Sequence, residues 1–267
     1  MSVSRKRLRI GLVGYGSIGK QVARRLATGD LPGAQLIGIV SRSMGNTRTD
    51  LAPRMNLEEC ISRSDVVVEA ATAEIVPRII QLGAAPCKAV IILSGCALVR
   101  WPDLRRQADL AGLQILLPSG AVAGLDAALA ASEEASSEIR LIIRRPCAGI
   151  ENVSHVVNHS IDLDQLTGET LIFEGTPLEA CMGFEGRTNI SASVALAGIG
   201  NARTRVQIYA DPGRTMHEHH LIVHGRFGKA ESRVEFDASQ PAEIDSIMTL
   251  SVLAAIRSLM SSTRYAT

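Results

Sequence analysis

A histidine-rich run, GRTMHEHHLIVHG, spans residues 213–225 and contains four of the six histidines in the chain. The segment HEHHLIVHG, which lies between turn-forming residues, is typical of a β-strand over 217–224. An imidazole side chain takes up and releases a proton near neutral pH, and it is also a common metal ligand. The run is therefore a candidate for acid–base catalysis or for metal binding.

The predicted strand divides its side chains between two faces. One face would hold His217, His219, Leu221 and Val223, and the other Glu218, His220, Ile222 and His224. A metal site needs three or four converging ligands, so we expect no metal here. The open alternative is a zinc site on the second face. We interpret His220 and His224 instead as part of a solvent-exposed or interface edge.

A glycine turn follows the first apolar run of the chain, where LRIGLV leads into GYGSIG. The three glycines match the GxGxxG pattern. The first permits a tight turn, the second lets backbone N–H groups approach a pyrophosphate, and the third allows close packing of helix on strand. The start of the following helix adds free N–H groups and the positive end of its dipole. We therefore expect the cofactor to contact Gly14, Gly16, Ser17, Ile18 and Gly19.

The end of the second apolar run bears on which nicotinamide dinucleotide is bound. NAD-binding proteins usually have Asp or Glu at this position, whereas this chain has Ser41-Arg42-Ser43. Hydroxyl groups and an arginine suit the 2′-phosphate of NADP. Of the two cofactors, NAD or NADP, Ser41 and Arg42 therefore favour NADP or the use of both. The alternative is an ordinary surface arginine in a loop.

The first part of the chain alternates short aliphatic runs with helical stretches. The runs are residues 8–13, 35–40, 65–70, 88–93 and 113–118. Uninterrupted Val, Ile and Leu runs are typical of strands covered on both faces, and strand–helix alternation predicts βαβ units. We expect an α/β protein with a Rossmann-type doubly wound parallel sheet.

The pattern changes after residue 120, where strands are predicted with few intervening helices, at SEIRLIIRR, TRVQIYA, HEHHLIVHG and SRVEFD. That order predicts a second α/β domain with a mixed or antiparallel sheet. The last apolar stretch has the wide apolar face of a long helix, which we expect to pack on the first domain. The predicted domains are a dinucleotide-binding Rossmann domain, 1–118 plus 241–267, and a substrate-binding and dimerisation domain, 119–240.

Composition limits the expected partners and location. Lys and Arg number 28 and Asp and Glu 27, so a net charge of +1 gives no electrostatic reason to expect nucleic acid or an anionic membrane. No stretch approaches the roughly 18 apolar residues of a membrane span, and the N-terminal apolar run is too short for a signal peptide. The five cysteines are scattered and odd in number, which favours the reducing cytoplasm.

Several motifs occur in order along nearly the whole chain: GYGSIG, DVVVEAAT, LSGCAL, LLPSGAVAGLDAAL, NISASVALAGIG, ADP and HEHHLIVHGRFG. This series closely resembles the L-aspartate dehydrogenase family. The resemblance implies a homodimeric enzyme that catalyses the reversible, NAD(P)-dependent oxidative deamination of L-aspartate, through iminoaspartate, to oxaloacetate and ammonia. It leaves open the physiological direction, because reductive amination and release of iminoaspartate towards NAD biosynthesis use the same site.

The resemblance also assigns site residues. The catalytic histidine of the family falls on His219, and its cofactor-contacting alanine and asparagine fall on Ala123 and Asn189. The chain departs from the family at His217, where asparagine is usual. It departs again at residues 184–187, Phe-Glu-Gly-Arg, where a Phe-Pro-Lys-Asn-like run is usual. Both departures lie near the expected substrate pocket, so they affect the identity of the substrate more than the type of reaction.

The chemistry of amine oxidation explains why a histidine is needed. A hydride leaves the α-carbon while the nitrogen gives up a proton, and hydrolysis of the imine then needs an activated water. We expect His219 to be the general acid and base, first deprotonating that water. Two substrate carboxylates need cationic or N–H donors. The predicted substrate-binding residues are Ser119, Arg187 and His217, with Arg144 and Arg145 as further candidates.

Two other functions stay open at the level of the sequence. A related NADP-dependent amino-acid, imine or keto-acid reductase would keep the fold and act on a shifted substrate. A nucleotide-binding sensor would keep the fold without turnover. Assays of reduced-cofactor formation with a panel of amino acids would separate these functions.

Overall fold

Aliphatic runs in the first part of the chain form a parallel sheet, because their side chains are buried on both faces. The computed structural model describes residues 7–42, 50–83 and 87–263. The first sheet contains β1 (Leu8–Val13), β2 (Ala34–Val40), β3 (Val66–Glu69), β4 (Ala89–Ile92) and β5 (Gln114–Leu116). Their spatial order is β2-β1-β3-β4-β5, with every neighbouring pair parallel. The predicted doubly wound parallel sheet is confirmed.

Helices connect these strands. They are α1 (Ser17–Ala27), α2 (Leu57–Arg63), α3 (Val76–Leu82), α4 (Cys96–Arg100) and α5 (Asp103–Leu110), with a short 3₁₀ helix at Ala73–Ile75. Asn56 caps α2, since its side-chain oxygen accepts a hydrogen bond of 2.7 Å from the backbone N–H of Glu59. The buried face of α1 includes Val22 and Leu26, which belong to the same hydrophobic core as Ile10 and Leu12 of β1.

A second sheet follows along the chain. It contains β6 (Glu138–Pro146), β7 (Thr170–Gly175), β8 (Thr204–Asp211), β9 (Met216–Gly225) and β10 (Gly228–Asp237). The order is β10-β9-β6-β8-β7. β6 and β8 are parallel, whereas the other neighbouring pairs are antiparallel. The sheet is therefore mixed, which confirms one of the two predicted arrangements.

The helices of this part are α6 (Leu125–Ser132), α7 (Ser154–Asn158), α8 (Pro177–Gly183) and α9 (Asn189–Ala197), with a 3₁₀ helix at Leu163–Gln165. A core of buried residues joins them to one face of the sheet, for example Ala128 of α6, Val194 of α9 and Leu141 of β6. The last helix, α10 (Pro241–Met260), contributes Val252 and Ile256 to the core of the first sheet. No helix among the described residues is long and apolar enough to cross a membrane.

The described residues separate into two units. The first consists of the described parts of Met1–Gly120 and Asp245–Tyr265, and the second consists of Ala121–Ile244. The histidine strand belongs to the second unit, where β9 pairs with β6 on one side and with the hairpin partner β10 on the other. Ile143 lies opposite His219 and Arg144 opposite Glu218 in the antiparallel ladder between β6 and β9. This register decides which side chains share a face.

Candidate functional site

The glycine turn between β1 and α1 has the geometry that a dinucleotide-binding loop requires. Gly14 has a φ of 104°, in the left-handed region that favours glycine. A Cβ at Gly14 would lie 2.2 Å from the carbonyl oxygen of Ala70, and one at Gly19 would lie 2.3 Å from the carbonyl oxygen of Gly14. Close backbone packing therefore requires the first and third glycines of the motif.

Gly16, the second glycine, lies in different surroundings. A Cβ at this position would meet no atom within 4 Å. Gly16 is the N-cap of α1, and no side chain caps the helix there. The N–H groups of Ser17, Ile18 and Gly19 precede the first helical hydrogen bond, from Lys20 N–H to Gly16 O at 2.9 Å. Open space beside free N–H donors fits the pyrophosphate of a dinucleotide.

The position of this turn in the sheet also favours a dinucleotide site. Strand order reverses between β1 and β3, and the turn leaves the carboxyl end of β1 at that point. In open α/β sheets, ligands bind beyond the carboxyl ends of the strands where the order reverses. The first unit thus offers one well-defined place for a nucleotide.

Ser41 and Arg42 follow β2 directly beside the glycine turn. The carbonyl oxygen of Val40, the last residue of β2, accepts a hydrogen bond of 2.8 Å from Gly14 N–H. Arg42 is exposed. The pKa of Glu74 is lowered mainly by a backbone hydrogen bond of Glu74 itself, and the charge of Arg42 makes the smallest contribution in the same direction. Ser43 lies outside the described residues.

Sequence reasoning missed a buried carboxyl group at the carboxyl end of β3. Glu69 is fully buried and accepts hydrogen bonds from Ala71 N–H at 2.7 Å and from both the N–H and the hydroxyl of Ser94 at 2.9 Å. Burial raises its pKa, against these hydrogen bonds. Glu69 therefore joins the loops that follow β3 and β4. The signal in the sequence was a single acidic residue within the aliphatic run DVVVEA.

His219 lies on the core-facing side of β9 and is only 7% exposed. Its Nδ1 atom is 2.7 Å from the carbonyl oxygen of Ala121. A carbonyl oxygen only accepts hydrogen bonds, so Nδ1 must carry the proton, and in the neutral ring Nε2 is left as an acceptor. That tautomer is the one a general base at Nε2 needs.

Burial keeps the two imidazoles of this face neutral near physiological pH. It is the main cause that lowers the pKa of His219 to about 4, with smaller effects from His217 and Arg145. It also lowers the pKa of His217 to about 4, together with the charges of Arg145, Arg214 and Arg187. Both rings contact Phe236, at centroid distances of 5.0 Å for His219 and 5.5 Å for His217. The shared contact confirms that the two histidines lie on one face.

The opposite face of β9 carries an ion-pair network. Glu218 is 4% exposed, and its carboxylate lies 2.7 Å from Arg144 Nη1 and 2.8 Å from Arg214 Nη2. Burial acts to raise the pKa of Glu218, but the hydrogen bond from Arg144 and the arginine charges outweigh it and leave the pKa lowered. Glu169 pairs with the same two arginines, at 3.2 and 3.5 Å. The charges of this face are therefore matched within the protein.

The same network bears on the alternative of a zinc site. Glu218 is the carboxylate that such a site would use, and it is paired with arginines instead. Across residues 7–42, 50–83 and 87–263, no group of three or more His, Cys, Asp or Glu side chains is arranged to hold a metal ion.

The interpretation of His220 and His224 was partly wrong. His224 is exposed, as expected, but β9 is not an edge strand, because GRFG turns the chain back and β10 pairs along its outer side. His220 is half-buried, with its Nε2 3.7 Å from a carboxylate oxygen of Glu231. Neither histidine lies on the face of His219.

The remaining predicted residues lie in both units. Ser119 is exposed and belongs to the first unit. Ala123 is exposed at the start of the second unit, and its carbonyl oxygen accepts a hydrogen bond from the hydroxyl of Ser232. Asn189 is the first residue of α9. Arg187 is exposed just before that helix, and its charge acts on His217. The second unit thus brings Arg187 within electrostatic reach of His217, which shares a face with His219.

A doubly wound parallel sheet with this glycine turn, followed by a mixed-sheet unit with a buried neutral histidine, defines a nucleotide-dependent oxidoreductase of the Rossmann class. Profiles of known families agree. Residues 126–261 match the family described as "Aspartate dehydrogenase, C-terminal", and residues 14–118 match "Homoserine dehydrogenase, NAD binding domain".

Individual relatives point to one family. L-aspartate dehydrogenase 3 of Bordetella bronchiseptica is 32% identical over 99% of this chain and 99% of its own. L-aspartate dehydrogenase of Methanosarcina acetivorans is 36% identical over 85% of this chain and 88% of its own. The crystal structure of aspartate dehydrogenase from Thermotoga maritima shares the fold, with a TM-score of 0.75 at 22% identity over 97% of this chain and 99% of that one. The chain belongs to the aspartate dehydrogenase family and has an NAD-binding domain.

Proposed function

We propose that the protein is an NAD(P)-dependent L-aspartate dehydrogenase, which oxidises L-aspartate through iminoaspartate to oxaloacetate and ammonia. The relatives named above support the reaction. The observation that carries the assignment to specific residues is the hydrogen bond of His219 Nδ1 to Ala121 O, at 2.7 Å. It leaves Nε2 of a buried, neutral imidazole available to take a proton.

In this proposal His219 handles the protons of the reaction. The bound nicotinamide cofactor supplies the hydride acceptor for the α-carbon of the substrate. Water then attacks the imine carbon, and Nε2 of His219 takes the proton of that water. His219 returns this proton to the nitrogen of the resulting carbinolamine. The carbinolamine hydroxyl then gives up the second proton of the water to the nitrogen as the carbon–nitrogen bond breaks, so that ammonia leaves and oxaloacetate remains. A neutral imidazole at the start is required, and burial of His219 provides it.

The glycine turn is the proposed pyrophosphate site, with Gly14, Gly16, Ser17, Ile18 and Gly19 as its residues. Open space beside Gly16 supports this role. We propose NADP, or both cofactors, because Ser41 and Arg42 follow β2 where NAD binders usually have an acidic residue. Ala123 and Asn189 are the further proposed cofactor contacts, on the strength of the family resemblance.

The larger organisation is proposed on the same basis. Residues 1–118 plus 241–267 form the dinucleotide-binding domain, and residues 119–240 form the substrate-binding and dimerisation domain. The protein acts as a homodimer in the cytoplasm on a small dicarboxylic amino acid, without nucleic acid or membrane partners. Light scattering after size-exclusion chromatography tests the dimer.

The decisive experiment measures formation of reduced cofactor with L-aspartate and a panel of other amino acids, each with NAD and with NADP. We expect L-aspartate to be oxidised and NADP to be used at least as efficiently as NAD. Activity that is confined to other amino or keto acids would instead favour a related reductase with a shifted substrate, to which the departures at His217 and Arg187 point. Measurable NADPH binding without turnover of any substrate would favour a nucleotide sensor.

A further inference from the structure

Arg145 carries a buried charge that is incompletely paired within the described residues. The residue is 7% exposed, and its Nε atom has no hydrogen-bond partner within the part of the chain that the structure describes. A buried guanidinium without a carboxylate is unfavourable, since both its charge and its N–H groups lose water. Such an arrangement is typical of a site where an anionic ligand supplies the missing partner.

The register of the second sheet fixes where Arg145 lies. Ile143 of β6 is opposite His219 of β9, and continuing that register two residues along β6 places Arg145 level with His217, on the same face. Two residues along a strand correspond to about 7 Å. Arg145 therefore shares the face of His219 and is its diagonal neighbour on the adjacent strand, about 7 to 8 Å away between Cα atoms.

A second arginine strengthens the positive charge at this position. The charge of Arg187 lowers the pKa of Arg145 after burial, and both arginines act on His217. Glu151 also lies within reach of the two charges, but it is exposed and accepts a hydrogen bond of 3.0 Å from Gly149 N–H. Two guanidinium groups against one exposed carboxylate leave a net positive site. Guanidinium groups bind carboxylates through two parallel hydrogen bonds.

We infer that Arg145, assisted by Arg187, binds the side-chain carboxylate of the substrate and so selects a dicarboxylic acid over a monocarboxylic one. The inference rests on the proposed function, because it takes His219 as the residue that serves the reacting carbon. A carboxylate bonded to that carbon would lie close to His219. The separation of about 7 to 8 Å between the Cα atoms of His219 and Arg145 leaves room for a short diacid whose far carboxylate meets the guanidinium. Arg144 is unsuited, since it lies on the opposite face and is paired with Glu218.

Binding of unreactive acids tests this inference without turnover. Succinate carries two carboxylates and butyrate one, on chains of equal length. We expect succinate to raise the Tm of the wild-type protein and butyrate to have little effect. In Arg145→Met the rise in Tm with succinate should disappear. The kcat/KM for L-aspartate should fall roughly 100-fold or more, because the carboxylate of the substrate would be buried without its guanidinium partner. An unchanged succinate response in Arg145→Met would overturn the inference.

Two further variants complete the test. Arg145→Lys keeps the charge but loses the paired hydrogen bonds, and we expect an intermediate loss of roughly tenfold in succinate affinity; it also serves if Arg145→Met does not fold. Arg140→Gln is the control, because Arg140 is exposed on the same strand, and it should behave as wild type.

The outcomes separate this inference from the proposed function. Succinate binding through Arg145 without oxidation of L-aspartate would refute the function and leave the carboxylate site standing. Oxidation of L-aspartate, with succinate affinity retained in both Arg145 variants, would refute the carboxylate site and leave the function standing.

Discussion

The two faces of the sheet around β9 and its neighbour β6 differ in how their buried charged and titratable side chains are paired. On one face, Glu218 is paired with Arg144 and Arg214 at 2.7 and 2.8 Å, so a buried carboxylate and its cations satisfy each other. On the other face, His219 is buried and neutral, and Arg145 is buried without a partner for Nε within the described chain. The Glu218 carboxylate is paired as it stands, although Nδ1 of His220 on the same face has no hydrogen-bond partner among the described residues. The second face has capacity for a proton and for an anion.

This difference teaches how a functional arginine can be told from a structural one. Arg144 and Arg145 are neighbours in sequence, and nothing in their residue type distinguishes them. Their surroundings do: the charge of Arg144 is matched by carboxylates of the protein, whereas the buried Arg145 has a donor left over for a ligand. The three tests below probe the two faces separately.

Loss of the imidazole on the unmatched face should have the largest effect. His219→Ala should lower kcat for L-aspartate oxidation roughly 10² to 10⁴-fold, the usual contribution of a positioned general acid or base. His224→Ala, on the other face of the same strand, should stay within about twofold of wild type. Steady-state kinetics with measured cofactor affinity check this, and near-normal turnover of His219→Ala with intact cofactor binding would exclude the role.

Loss of the carboxylate on the matched face should reduce stability. Glu218→Ala leaves Arg144 and Arg214 without their buried partner, so we expect the free energy of unfolding to fall by about 3 kcal/mol. Glu231→Ala is the control, because its ion pair with Lys229 is exposed and should contribute less than about 1 kcal/mol. Denaturant titration measures both variants. Equal losses in the two would show that the network contributes no more than a surface pair.

The pH dependence of stability should differ between the faces. The pKa of His217 and of His219 is lowered from 6.5 to about 4, so the unfolded state binds more protons across this range. Stability should therefore be complete above pH 6.5 and decline as the pH falls towards 4, by about 2 kcal/mol at pH 5 for the buried His219. The pKa of Glu218 is lowered from 4.5, so its contribution should be lost only below that pH.

Unfolding measured between pH 7 and pH 4 in wild type, His219→Gln and Glu218→Gln separates the two contributions. His219→Gln should reduce the decline above pH 4.5 and leave the part that comes from His217 and His220, whereas Glu218→Gln should keep the whole decline. A decline of the same size in His219→Gln would assign it to other groups.

Much of the first unit could be predicted from the sequence, because its signals are local. Continuous aliphatic runs identified β1 to β5 to within a few residues, and the glycines of GYGSIG have the packing that the motif implies. Less of the second unit could be predicted. β7 was missed, since its short run lies at a sheet edge and only its pairing with β8 makes it a strand. β10 begins at Gly228, earlier than the run SRVEFD indicated.

Some features of the candidate site could likewise be predicted from the sequence, and others could not. The two-residue repeat of a strand over HEHHLIVHG placed His217 and His219 on one face. The burial of Leu221 and Val223 shows that this face is the inner one. The acceptor for His219, the carbonyl oxygen of Ala121, lies 98 residues away in the chain, and no sequence pattern links the two. The role of Glu69 in joining two loops depends in the same way on Ser94, 25 residues away.

The sequence by itself determined the periodicities and the special backbone positions: strands, the glycine turn and the residues that share a face of β9. These follow from local sterics and from the two-residue repeat of a strand. Only the tertiary structure decided which nitrogen of His219 can accept a proton and which of two adjacent arginines has an Nε atom without a partner among the described residues. Protonation and charge pairing depend on groups that are distant in the chain and close in space, and on how much water the packing leaves around them.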